Sequence, residues 1–294
     1  EPWRTIPTTY QQQLINMLRL LNIELHKLKY NRAAKVISIV YFALICFIAL
    51  IVSIEFNFGG VKFRVADQGI FNFPFIWHFN TYMAAILKIF LAIVIVSLMS
   101  NEYSYRTLKQ NLIDGLSKKE FVLSKFLTVI GYAAISTLFV FIISMILGLA
   151  FSDYTEVGII FSDMQYLLAY FIKLMGFFAM CLFLGVLVKR SAFAIGFLVV
   201  WWIVESILYG LMKWQFFKDT NIAENVSQFF PLSAMSNLIK EPFTKLGAIQ
   251  SIANQVNETI EKTYDVQFWD VAIVLIWTAL FIYWSYAILK RRDL

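Results

Sequence analysis

The sequence predicts an all-α membrane protein with six transmembrane helices, an N-terminal interfacial amphipathic helix and a helical turn between the second and third spans. Three observations predict it. Of 294 residues, 60% are hydrophobic and 15% are charged, against roughly 45–50% and about 25% in soluble domains. The mean hydropathy is +0.70. The apolar residues also fall into runs of about 20, the length that crosses roughly 30 Å of hydrocarbon as a helix.

Residues 1–16 (EPWRTIPTTYQQQLIN) differ in character from the rest of the chain, and Met17 would make a natural start. They read as an N-terminal extension, with 17–294 as one transmembrane domain. Over 14–30, Leu14, Met17, Leu18, Leu21, Leu25 and Leu28 recur at helical spacing, with Arg19, Asn22, His26 and Lys29 opposite. An amphipathic basic helix of this kind suits the headgroup region of a bilayer. Six spans come after it, at about 36–54, 81–100, 126–151, 166–188, 192–212 and 268–288. Each must be helical, because lipid offers no partner to unpaired backbone groups. Lys189–Arg190–Ser191 leaves room only for a tight hairpin between the fourth and fifth.

Lys and Arg are dense in 1–35, 101–125, 189–191 and 289–294, and sparse in 55–80 and 152–165. By the positive-inside rule both termini are cytoplasmic, in a plasma membrane crossed several times. Phe71, Phe73, Phe75, Trp77, Tyr82, Trp214, Phe216, Phe217 and Trp269 gather near the outer boundary and read as an aromatic belt. The last outer loop carries helical patterns at 232–240 and 243–261, each after a proline.

The net charge of +6 is explained by this orientation and does not call for nucleic acid. Cys46 and Cys181 lie in apolar runs and read as small hydrophobes. His26 and His78 are the only histidines and Asp and Glu are scattered, so neither a metal site nor a paired-carboxylate catalyst is indicated. No phosphate-binding loop of the G-x-x-x-x-G-K-[ST] type occurs, so any ATP that drives this protein is bound by another chain. No cofactor is expected.

Lys88, Lys173 and Glu205 lie inside spans. A charge there costs several kcal/mol and so needs a role. The three sit at similar depth, so a polar cluster in which Glu205 pairs with Lys88 or Lys173 is one expectation; lysines snorkelling outward is the other.

The loop 101–125 carries the most information. Residues 101–113 can continue a helix out of the second span, and Gly115 supplies a C-terminal stop. Ser117–Lys118–Lys119–Glu120 is then a capping box that starts the helix of the third span. Glu102, Arg106, Thr107, Leu112, Gly115, Ser117, Lys118, Lys119, Phe121 and Lys125 resemble the loop between spans two and three of type-2 ABC exporter permeases. The likeness runs from about Met17 to the C-terminus. It implies a membrane subunit that works as a homo- or heterodimer with a second permease subunit and takes its energy from a separate ABC ATPase subunit. Residues 112–120 would be the coupling helix, with Glu102 and Arg106 supporting it; Leu112, Gly115, Ser117, Lys118, Lys119 and Glu120 fall within it. Lys118 and Lys119 stand where many relatives have Arg, and lack its planar fork. A secondary transporter, and a membrane assembly or regulatory factor without transport, remain the rival readings. Substrate identity is not legible.

Overall fold

The computed structural model describes residues 9–58, 61–64, 69–216, 222–245 and 264–292. Helix α1 (Thr9–Tyr30) begins before the predicted pattern, so residues 9–16 belong to it. It turns Leu20 and Glu24 against the protein and leaves Met17, Leu18 and Leu25 uncovered. The chain pivots at Asn31, whose side chain accepts the Ala34 amide at 3.1 Å and caps α2 (Arg32–Ser53). An antiparallel hairpin, β1 (Glu55–Phe58) with β2 (Val61–Arg64), comes next, within the loop expected over 55–80. The other described elements are helices.

The second span departs from expectation. It forms two helices, α3 (Phe75–Ile86) and α4 (Lys88–Ser104), bent by 46° at Leu87. Around the bend Leu87 donates to Ala84 and Phe90 to Leu87, so the four-residue ladder lapses for about a turn. The Thr81 hydroxyl also bonds back to the Trp77 and His78 carbonyls, at 2.6 and 3.1 Å, an arrangement that bends helices. No Gly or Pro stands at the break.

A short helix, α5 (Thr107–Ile113), leads to α6 (Lys118–Phe151). One turn, α7 (Val157–Ile160), precedes α8 (Gln165–Val188). Lys189 ends α8 in the left-handed conformation at φ 64°, and α9 (Ser191–Leu211) starts two residues on, closing the expected tight hairpin. A π turn (Met212–Phe216), α10 (Ile222–Ser227), α11 (Pro231–Asn237) and a 3-10 turn (Phe243–Lys245) precede α12 (Phe268–Arg291). The 232–240 pattern corresponds to α11. Most of the 243–261 pattern lies outside the described residues.

Among the described residues five helices are long and apolar enough to cross a membrane: α2, α6, α8 with α7, α9 with its π turn, and α12. The bent pair α3–α4 makes a sixth if counted as one. Helix α8 is the axis of the bundle and packs on α3, α4, α6, α9 and α12. Close packing between membrane helices is favoured where a residue lacks bulk. At Gly176 an added Cβ would lie 2.8 Å from Val274 Cγ1 and 3.2 Å from Thr278 Oγ1 of α12. The Tyr41 and Tyr170 hydroxyls bond at 2.6 Å inside the bundle and join α2 to α8.

The expected aromatic belt divides. Trp214, Phe216 and Trp269 are largely exposed, whereas Phe71, Phe73 and Trp77 are buried. Trp77 stacks on Phe141 of α6, and its indole N–H donates to the Ile160 carbonyl at 2.8 Å. Residues near a predicted boundary therefore serve as core, because α3 begins six residues before the predicted span and packs inward. Phe217 lies outside the described residues.

Candidate functional site

At the end of the bundle where α1, α5 and the end of α12 meet (the basal end), three helices bring four charged side chains together. Glu102 lies in the last turn of α4, Lys125 two turns into α6, and Glu24 and Lys27 on adjacent turns of α1. Lys125 Nζ stands 2.7 Å from Glu24 Oε2 and 2.5 Å from Glu102 Oε1. Lys27 Nζ reaches the same Glu102 oxygen at 2.7 Å. The Thr107 hydroxyl donates to the other Glu102 oxygen at 2.5 Å. Glu24, Glu102 and Lys125 are 2–3% exposed. Two acids and two bases balance, so no uncompensated charge is buried, and α1 is pinned to the bases of α4 and α6.

This network corrects one expectation. The helix out of the second span does not continue to residue 113. It ends at Ser104, and Arg106 takes the left-handed conformation at φ 55° before α5 begins. The chain must double back there for Thr107 to reach Glu102 five residues earlier. Arg106 is exposed, so in this chain it shapes the backbone, while Glu102 sits in the ionic cluster.

Beyond α5, Gly115 adopts φ 94°, a conformation glycine accepts without cost. The capping box forms as the spacing indicates. The Glu120 amide donates to Ser117 Oγ at 3.2 Å, and the Ser117 amide donates to Glu120 Oε2 at 2.9 Å. Leu112 packs against the core, whereas Ile113, Asp114, Gly115, Ser117 and Lys119 form an exposed tip. Lys118 is turned the other way. Its ammonium donates to the Arg292 carbonyl at 2.9 Å and the Lys290 carbonyl at 3.4 Å, at the end of α12. Of the basic pair, then, Lys119 faces outward and Lys118 is spent inside the chain.

Arg292 adds a second tie. Its guanidinium donates to the Val186 and Leu187 carbonyls at the end of α8, at 2.6 and 2.9 Å, and to the Tyr103 hydroxyl at 3.2 Å. A cleft of about 420 Å³ opens beside the network, lined by Lys27, Tyr30, Arg32, Asn101, Glu102 and Tyr105 among others.

Sequence reasoning missed Glu24, Lys27 and Arg292, and quoted Lys125 without assigning it a partner. One signal was present: Glu24 is the only acidic residue in α1, an otherwise basic helix.

The three charges inside spans do not form one cluster. Glu205 of α9 accepts the Leu232 and Ser233 amides, both at 3.1 Å, together with the Trp201 indole N–H at 2.8 Å. It caps α11. Lys173 of α8 donates to the Ser236 and Ile239 carbonyls at 3.5 and 3.4 Å, at the other end of that helix. The carboxylate thus meets the positive end of the α11 dipole and the ammonium its negative end. Neither lysine makes an ion pair with Glu205, because a short helix stands between acid and base. Lys88 is turned inward, with its ammonium 4.4 Å from the centre of the Phe177 ring. A polar opening of about 720 Å³ borders α11, lined by Tyr82, Tyr209, Glu224, Ser236, Lys240 and Asp270 among others. Among the described residues no three His, Cys, Asp or Glu side chains come together as a metal site.

Residues 46–294 match a family described as "Protein of unknown function (DUF2705)". The chain belongs to this family. The match begins within α2 and takes in every later span together with Glu102, Lys125 and the turn at Gly115; Glu24 and Lys27 lie before it. No curated protein matches the chain.

Proposed function

We propose that this chain is the membrane subunit of an ATP-driven exporter of the type-2 ABC class, working beside a second permease subunit and powered by a separate ATPase. The observation that carries the reading is the buried ionic cluster of Glu24, Lys27, Glu102 and Lys125 directly behind an exposed helical turn. A partner that grips the tip from Ile113 to Lys119 pushes on α5 and the start of α6. The cluster passes that displacement to α1 and to the base of the second span, because moving one member alone would strand a buried charge. Nucleotide binding on the partner then selects between two arrangements of the spans, a population shift in the sense of differential affinity. In this reading the tip faces the cytoplasm, α1 lies in the inner headgroup layer with its uncovered leucines in the acyl boundary, and the hydrolysis happens on the other chain.

The test is co-purification in mild detergent. A soluble nucleotide-binding protein of about 25–35 kDa, the size of one to two domains, is expected to come down with the full chain. Lys119→Glu is expected to loosen that complex while the thermal midpoint of the purified membrane protein stays unchanged. An isolated permease, or a complex indifferent to Lys119→Glu, counts against the proposal.

The bend at Leu87 is the observation that favours the rival reading of a secondary transporter, since broken spans line ion and substrate sites in such proteins. Substrate flux that tracks an ion gradient in vesicles containing this chain alone would decide for the rival.

A further inference from the structure

Three carboxylates line the polar opening beside α11, those of Glu224, Glu241 and Asp270. Two of them are engaged: Glu224 makes an ion pair with Lys213 at 3.0 Å, and Glu241 accepts the Thr244 hydroxyl at 3.1 Å. Asp270, in the first turn of α12, makes no hydrogen bond or ion pair among the described residues, although it is only 5% exposed. Lys240 also lines the opening and acts on Asp270 through space, without pairing with it. A carboxylate withdrawn from water without a partner is costly to keep ionised. Its oxygens are not among the partnerless polar atoms sealed in packing, so they open onto the cavity that the residue lines.

The walls of this cavity are fixed from outside it. Glu205 holds the first amides of α11, and Lys173 holds the Ser236 and Ile239 carbonyls at its other end. His78 Nε2 donates to the Lys240 carbonyl at 2.8 Å. Tyr82 of α3 and Tyr209 of α9 bring aromatic surface to the lining, and Ser236 and Asn237 of α11 bring hydrogen-bonding groups. A volume of about 720 Å³ falls within the roughly 300–1,000 Å³ of small-molecule sites. A hard metal ion such as calcium needs about six to eight oxygens drawn close around it, and among the described residues no such gathering of acids occurs. The space suits an organic ligand, and the open group in it is an anion.

We propose that this cavity binds a small organic amine, with its ammonium group held by the Asp270 carboxylate. A hydrogen bond from an ammonium to a carboxylate is about twice as strong as one between neutral groups, and the rings of tyrosines attract the same cation. A neutral ligand would leave the Asp270 charge uncompensated, and an anion would be repelled by it. The inference does not rest on the exporter reading, and it holds whether or not an ATPase partner is found.

The experiment uses the full chain in an uncharged detergent, with tyramine as the probe, tyrosol as the same skeleton with a hydroxyl in place of the amine, and calcium chloride as the metal control. Binding is read by calorimetry and folding by thermal midpoint. Tyramine is expected to bind saturably, one per chain, and tyrosol about tenfold more weakly, the loss of one charge-assisted contact. Asp270→Asn should weaken tyramine binding by a similar factor without lowering the thermal midpoint of the ligand-free protein, because the carboxylate holds nothing within the fold. Glu156→Gln, a change at an exposed acid that does not line the cavity, should leave binding untouched. Equal binding of tyramine and tyrosol, tyramine binding by Asp270→Asn that matches the unsubstituted chain, or calcium binding through Asp270 with none of tyramine, overturns the proposal. Should Asp270→Asn fail to fold, Ser236→Phe carries the test, since Ser236 is exposed on the cavity wall and a ring there fills the space. Tyramine binding undiminished in that variant would contradict the site.

Discussion

Four side chains decide how firmly α1 belongs to the bundle. Lys125 neutralises Glu24 and Glu102 in a place with almost no solvent, so Lys125→Met should destabilise the protein by about 3–5 kcal/mol. The double change Lys125→Met with Glu102→Met should recover part of that loss, measured by thermal unfolding in detergent. A mild single mutant would show that solvent reaches the network. Lys88 predicts the opposite sign. With no acceptor among the described residues, its replacement by Met should raise the thermal midpoint of the lipid-free protein, because a costly charge is removed and the apolar stem is kept. The capping box was legible because Ser117 and Glu120 are three residues apart and the physics is local. The Glu24–Lys125 pair was not: 101 residues separate its members, and no local pattern brings them together.

The elements show where sequence periodicity runs out. Hydropathy placed the apolar runs, five of which form helices long enough to cross a membrane among the described residues, because the length that crosses a bilayer is fixed by helix geometry. It did not place the bend in the second span, since Ala84-Ala85-Ile86-Leu87-Lys88 contains no helix breaker. Nor did it separate buried aromatics such as Trp77 from exposed ones such as Trp214, which have equal hydropathy and differ only in what packs on them. Helix α8 packs against α12 at Gly176 with no space for a side chain. Gly176→Leu should therefore force the two helices apart and cost about 1–3 kcal/mol or more, read as a lowered thermal midpoint. Helix α11 is held at both ends by charges from different spans, Glu205 from α9 and Lys173 from α8. Glu205→Gln weakens the acceptor that holds its first amides, so amide hydrogen exchange at Leu232 and Ser233 should quicken, while exchange within the core of α8 stays slow. Unaltered exchange at those two amides would show that Pro231 and packing hold α11 without the carboxylate.

At the scale of the whole molecule the charges divide by end. The basal end carries the ion network, the Lys118 and Arg292 ties to α12 and α8, and an exposed tip; the distal end carries the α11 cap and a polar opening. The bend at Leu87 lies between the basal network and α11 along the second span. In the proposed mechanism, force enters at this tip from another polypeptide. A photo-crosslinking residue placed at Ile113, which is 69% exposed at the end of α5, tests it in intact membranes. An adduct with a nucleotide-binding protein is expected, its yield altered by ATP. Absence of any such adduct, or labelling of position 113 by a membrane-impermeant reagent added outside the cell, would contradict it.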